Sequence, residues 1–337
     1  MALELLPGES DMLAAVVDNL ADDVVKLVYA DWLEDRDDKR AGFLRDYVAA
    51  AKEMWLISFP RAKRTLSEEW LELIGFRLVE QVAIAHAQQP PDKAIKLKKK
   101  LLPLARPALR MREDFIGRAL PVGASKIGGL PDLPTDFVWP PGGDCQAIYN
   151  DDTGGTDRLA GFLCQLNFAD IADSQVARVL KLTAAGVLSF FCFQDIENDN
   201  PDAVGALAVF FPDPSKLVRT EPPTALTEGN HTIEELRLTF VETLDLPDTS
   251  GPWQEVWDAI PEEARDPLVD HLRRLNFNNL FGYARGTSGG DPTPSKQSRH
   301  LILLTNQAGC RLHIQIPAKA LAARDFGKIT LNWVDFD

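Results

Sequence analysis

The chain has 337 residues, 45% of them hydrophobic and 26% charged, with a formal net charge of −14. That is enough chain for two domains and enough apolar content for sizeable cores. The longest apolar runs, at 186–193 and 203–211, fall far short of a membrane-spanning helix, and the acidic opening MALELLPGESD lacks the basic-then-apolar pattern of a signal peptide. The expected address is therefore the cytoplasm, with no membrane association.

The front third reads as helices. Ser10 is placed to cap a first helix whose Leu13, Val16, Val17 and Leu20 recur at i, i+3, i+4, i+7. A second helix starts near Asp22, with Val24, Leu27, Val28 and Trp32 as its apolar residues, and ends in the acidic run 34–38. A third runs from about Arg40 to Ile57 with Phe43, Leu44, Tyr47, Val48, Ala51 and Trp55 on one face. Thr65 and Glu68 have the spacing of a capping box ahead of Leu71, Ile74, Leu78 and Val82, and Pro90 and Pro91 close that fourth helix. Residues 1–90 are thus expected to form a small all-α domain.

Charge then reverses. Residues 1–60 hold 6 basic and 13 acidic side chains, residues 61–112 hold 12 and 5, and residues 113–337 hold 18 and 32. Residues 91–115 read as a basic connector in which Lys96, Lys98, Lys99 and Lys100 could grip phosphate. No aromatic residue is interleaved to stack on bases, and a strap lying on the acidic C-terminal domain is preferred over an intermolecular partner such as phosphate or an anionic membrane surface. An acidic body repels phosphate backbones and suits a basic protein partner.

From about residue 116 the periodicity changes to two. Strands are expected at 159–168, 186–195, 203–211, 234–244, 300–305, 311–316 and 328–334, with helices at 170–182, 253–260, 261–275 and 317–323. Several neighbouring strands look like hairpins. The fold class is α+β, a helical domain followed by a larger, mostly antiparallel sheet domain over residues 116–337. Cys145, Cys164, Cys192 and Cys310 carry no C-x-x-C pair and read as reduced structural thiols.

Two stretches resemble known families. LVYADWLEDRDDKRAGFLRDY, at 27–47, resembles the signature of the bacterial repeat-companion domain, a helical module that implies no activity. Its acids lack the glycine and closing glutamate of a calcium loop. IGGLPDLPTDFVWP, LAGFLCQLNFADI, GVLSFFCF, NNLFGYARG and RHLILLTNQAG with RLHIQIP occur in the order shown by the YwqG-like family of uncharacterised bacterial proteins. That resemblance implies the fold of the larger domain and, through likeness to components encoded near bacterial toxin systems, an immunity-type role. The segment 142–157 stands as an insertion, and the closing strand departs from the family in reading LLTNQ.

No G-x-S-x-G, HExxH, Walker loop or G-x-G-x-x-G is present. Gly286 to Asp291 is glycine-rich but precedes prolines rather than a helix, which suits a surface loop. The five histidines never stand at metal-ligand spacing; His300 and His313 with Cys310 are the best metal case, and solvent-facing strand positions explain them as well. No metal, cofactor or catalytic residue is expected. The candidate binding residues are Trp139, Gln165, Asn167, Tyr283 and Arg285: a polar floor beside a tryptophan, with Arg285 for an anionic group. The alternative is that these side chains satisfy loop carbonyls of the fold. Two functions remain open, a non-catalytic protein-binding module with an acidic face and an enzyme acting on a small polar or anionic substrate through the Gln165/Arg285 face.

Overall fold

The computed structural model describes residues 3–54, 59–62, 65–85, 91–147, 159–194, 204–227, 234–247, 254–258, 260, 262, 265–266, 269, 279–283, 298–305 and 310–336. The chain divides into two compact units: residues 1–110 with 241–277, and residues 111–240 with 278–337.

The first unit holds the helices α1 (Glu9–Asp18), α2 (Asp23–Glu34), α3 (Arg40–Glu53), α4 (Glu68–Leu73), α5 (Phe76–Ala85) and α6 (Pro91–Leu101). Asp22 caps α2 by accepting from the Val24 N–H at 2.8 Å, as expected of an Asx residue before an apolar run. Ser10, by contrast, lies inside α1, whose cap is Gly8. The single helix expected after Thr65 is two. Ser67 caps α4, and Gly75 at φ +76° separates it from α5, a backbone conformation that disfavours other residues.

The buried face of α2 also differs from expectation. Lys26, Tyr29, Ala30 and Leu33 face inward, while Val24 and Val28 are 65% and 53% exposed. The outward stripe is the more apolar of the two, and polar anchoring of the other decides which face is buried. The Tyr29 hydroxyl donates to Glu9, whose carboxylate also takes the Arg40 guanidinium at 2.7 and 2.8 Å and the Leu6 N–H at 2.7 Å. Trp70 Nε1 donates to the same hydroxyl at 2.9 Å, so this cluster ties together α1, α2, the start of α3 and α4.

Lys26 is the concealed member of that face, its amine donating to the Leu20 carbonyl. Burial lowers its pKa to about 8, against the pull of Asp23. Below its unfolded pKa of about 10.5 the unfolded chain holds this proton more tightly, so stability rises with pH from about 8 to about 10.5. Relative to Lys26→Met, the wild-type protein should gain on the order of 1 kcal/mol between pH 7.5 and 9.5 in urea titrations. A constant difference across that range would show that the amine is not held in a charge-disfavouring site.

Of the basic segment 91–115 expected as a connecting strap, Pro91–Leu101 forms α6, packed on α3 and α5 in the first unit, and Arg106–Asp114 forms a strand. The helix buries Ala94, Leu97 and Leu101, and Lys98 Nζ donates to the Ala51 carbonyl at 2.6 Å. Apolar residues at helical spacing turn one side of the charged run inward.

The strands are β1 (Arg106–Asp114), β2 (Lys126–Ile127), β3 (Asp132–Pro134), β4 (Gln146–Ala147), β5 (Gly161–Asn167), β6 (Val187–Gln194), β7 (Val204–Phe211), β8 (Leu217–Arg219), β9 (Leu236–Asp245), β10 (Asn279–Phe281), β11 (Ser298–Thr305), β12 (Cys310–Pro317) and β13 (Thr330–Phe336). Short α-helices are α7 (Gln175–Leu180), α8 (Thr224–Thr227), α9 (Gln254–Asp258) and α10 (Ala318–Ala323). One sheet takes the order β13-β12-β11-β10-β1-β9-β2-β5-β6-β7-β4, and β3 pairs β8 separately. The hairpins β5–β6, β6–β7, β11–β12 and β12–β13 are antiparallel. The architecture is α+β, helical in front and mostly antiparallel sheet behind. The helix expected at 261–275 lies mostly outside the described residues.

The opening loop of the second unit is pinned by its aromatics. Leu133 is fully buried, and Phe137 and Trp139 pack on Phe191 with ring centroids 5.8 and 5.7 Å away. Trp139 Nε1 donates to the Ala160 carbonyl at 2.6 Å, which satisfies its one polar atom. Among the described residues no helix is long and apolar enough to cross a membrane.

Candidate functional site

The second unit is organised around a buried charge cluster. Lys126 on β2 and Asp132 on β3 have fully buried side chains, and Glu235 and Arg219 are about four-fifths covered. Asp132 accepts from Arg219 Nε at 2.6 Å, Gln165 Nε2 at 2.7 Å and the Gly123 N–H at 2.8 Å, with Lys126 Nζ 3.8 Å away. Glu235 accepts from Lys126 Nζ at 3.0 Å, Arg219 Nη1 at 3.2 Å and the Leu120 N–H at 3.0 Å. Lys126 also donates to the Leu130 carbonyl, and Arg219 Nη2 to the Leu120 carbonyl at 2.9 Å.

Two cations and two anions thus face one another with hydrogen bonds on all four, the condition under which buried charge is tolerated. Burial lowers the Lys126 pKa even with Asp132 and Glu235 opposing. Burial works to raise that of Glu235, but the Leu120 N–H, Lys126 and Arg219 outweigh it and hold the carboxyl below its usual range. Gly129, at φ +64°, lies against this cluster; a Cβ there would stand 2.7 Å from Glu235. The cluster is a structural latch, because its charges are turned on one another.

Beside the latch opens a cleft of about 820 Å³, lined by residues 116, 118–121, 124–125, 170 and 237–240. Its polar side chains are Arg118, Arg237, Ser125, Asp170 and Thr239. The Ser125 hydroxyl donates to Asp170 Oδ2 at 2.6 Å and accepts from the Asn167 N–H at 2.8 Å. Arg118 and Arg237 are exposed, and among the described residues neither is held in an ion pair. The cleft thus presents two exposed guanidinium groups and the Asp170 carboxylate on a unit rich in acid, and either arginine can hydrogen-bond an anionic group. A serine bonded to a carboxylate, with no imidazole or amine beside it among the lining residues, is not an activated nucleophile.

Residues 125–334 match the model of a family described as a domain of unknown function, DUF1963. The chain belongs to the DUF1963 family. A comparison with curated proteins gives no match. The DUF1963 segment begins at Ser125, so it contains all four latch charges, Asp170 and the 237–240 wall, while residues 116–124 of the cleft precede it.

Within the DUF1963 domain the residues expected to bind are placed as follows. Gln165 is buried and its amide is fully engaged: Nε2 donates to Asp132 and to the Ala124 carbonyl at 2.8 Å, and Oε1 accepts from the Asp132 N–H at 3.0 Å. Asn167 Nδ2 donates to the Gly123 carbonyl at 2.8 Å, and its Oδ1 accepts from the Ala169 N–H at 3.0 Å. Gln165 and Asn167 thus hold the Gly123–Ala124 backbone at the edge of the cleft. Trp139 sits in the aromatic cluster on β6 described above, and Tyr283 is buried after β10. Arg285 lies outside the described residues.

His300 and His313 do approach, their ring centroids 6.5 Å apart on β11 and β12. They are 3% and 0% exposed, which corrects the solvent-facing reading. Among the described residues no group of three or more metal-ligating side chains forms. Cys145, Cys164 and Cys192 form no disulfide; burial pushes the Cys145 thiol up to about 12 and Cys164 well above its ordinary value. Both thiols are inert as nucleophiles. His86, His231, His271 and residues 286–291 lie outside the described residues.

Arg118, Arg237 and Asp170 were missed because they are single polar residues in unrelated stretches of sequence. A signal was present only in part: Arg237 occupies a polar position of a strand whose alternation is clear.

Proposed function

We propose that the DUF1963 domain of this protein is a non-catalytic binding module, and that the cleft beside Ser125 takes an anionic ligand. The observation that carries this reading is the pair of exposed arginines, Arg118 and Arg237, on the wall of an 820 Å³ cleft. Residues 113–337 hold 32 acids against 18 bases, so a cationic cleft there is a local exception with a selective consequence. The acidic remainder of that surface would suit a basic protein, but the concave site inverts the charge preference. The engaged Ser125–Asp170 pair supports binding over catalysis.

Calorimetric titration with glutarate and with inorganic phosphate tests this reading. The wild-type protein should bind one or both, and the double variant Arg118→Ala/Arg237→Ala should bind about tenfold more weakly or worse, since charge-assisted hydrogen bonds contribute about 1.5–3 kcal/mol each. Equal affinity in the two proteins, or no binding by either, would overturn the assignment.

A further inference from the structure

A surface helix packed on a core turns its more apolar stripe inward. In α2 the reverse holds. Lys26, Tyr29, Ala30 and Leu33 are buried, while Val24 and Val28 are 65% and 53% exposed and Trp32 is only partly covered. Spaced four residues apart, Val24, Val28 and Trp32 form one outward ridge about 12 Å long. Arg36 supports its far end: the guanidinium lies 3.7 Å from the Trp32 ring centroid and donates to the Trp32 carbonyl at 3.0 Å.

The same end of the helix breaks a second local rule. Cations are favoured at a helix C-terminus, where the backbone dipole is negative. The last turn of α2 has no basic residue, and residues 31–38 hold five acids against Arg36. Arg45 takes Asp31 and Glu34, and Arg40 takes Asp38. Asp35 and Asp37 stay exposed, and among the described residues neither is in an ion pair. Asp35 follows Val28 by seven residues, which places it on the same face, at the end of the ridge. An exposed apolar ridge and uncompensated acids at the negative end of a dipole both cost stability, and such departures mark surfaces that serve a partner.

Charge selects the occupant. Residues 1–60 hold 13 acids and 6 bases, so a second copy would set like charge against like, and an anionic lipid surface would be repelled. We propose that the outward face of α2 docks a basic amphipathic helix of a partner protein. Apolar residues of that helix lie along Val24, Val28 and Trp32, and its lysines or arginines reach Asp35 and Asp37. This surface belongs to the helical unit and is independent of the cleft beside Ser125.

The test uses the full chain and a blocked, labelled helical peptide of about five turns, with leucines along one side and lysines beside them, read by fluorescence anisotropy. The wild-type protein should bind it, and Val24→Gln/Val28→Gln should lose about tenfold or more in affinity. That variant should keep its circular dichroism spectrum, because both side chains are exposed and glutamine is the better helix former. Asp35→Asn/Asp37→Asn should lose about threefold or more and show a shallower salt dependence. Asp136→Asn/Asp173→Asn, which removes two exposed acids of the second unit, should leave the affinity unchanged. No binding by the wild type, an unchanged affinity in the glutamine variant, or equal losses in the two asparagine variants overturns the proposal. A dimer in sedimentation that the glutamine variant abolishes overturns it in favour of a second copy.

Discussion

Replacing Asp132 with alanine is expected to destabilise the DUF1963 domain by about 3–5 kcal/mol, the cost of removing one partner from a buried charge cluster. The reason is local and specific. Asp132 has no exposed surface and carries bonds from Arg219, Gln165 and Gly123, with the fully buried Lys126 amine 3.8 Å away. Without the carboxylate, Lys126 retains only Glu235 as a charge partner, and Arg219 loses its shortest ion pair. Burial already disfavours the Lys126 ammonium, so the variant leaves the cluster with excess positive charge in a site that resists it. Hydrogen-exchange mass spectrometry should show faster exchange concentrated in residues 120–134 and 217–220, the segments the latch joins. Asp132→Asn, which keeps hydrogen-bonding capacity but not charge, should fall between alanine and wild type. A loss below about 1 kcal/mol for the alanine variant would mean that the cluster relaxes into water, contrary to the closure described here.

The second large effect is expected at Glu9. Glu9→Ala should cost the helical unit about 3 kcal/mol or more, as expected for breaking a buried ion pair. Its side chain is fully buried and accepts from the Tyr29 hydroxyl, both terminal nitrogens of Arg40 and the Leu6 N–H. Arg40 would keep Asp38, while the Tyr29 hydroxyl would keep only the Trp70 indole as a donor to it. Urea titration followed by tryptophan fluorescence reads this directly, because Trp70 is bonded into the cluster. Double-mutant cycles pairing Glu9→Ala with Arg40→Met should show strong non-additivity, since both lose the same interaction. Additive losses would show that Glu9 stabilises the unit by some route other than Arg40.

The candidate site was only partly legible. Gln165 and Asn167 stood out as polar residues within a strand, and the structure gives both to the Gly123–Ala124 backbone and to Asp132. They bear on the cleft indirectly, by drawing the chain away from β9. Arg118 and Arg237 carried no comparable signal: each is an ordinary exposed arginine until strand pairing sets Arg237 opposite Lys126 and Leu238 opposite Ser125. The Val24, Val28 and Trp32 stripe shows the reverse failure, a clear periodic signal that tertiary anchoring sets aside in favour of Tyr29, Ala30 and Leu33.

What the sequence by itself determined are the features with local causes. Helical periodicity, Asx capping at Asp22 and the shift to alternation beyond residue 116 reflect contacts within a few residues, and these yield a helical front and a mostly antiparallel sheet behind. Only the tertiary structure decided the latch and the cleft. Lys126 meets Glu235 across 109 positions, and Arg219 meets Asp132 across 87. Such pairs depend on strand order and register, which no local pattern encodes. The short β2 strand was invisible for the same reason: it ends where side chains remote in sequence draw its backbone aside.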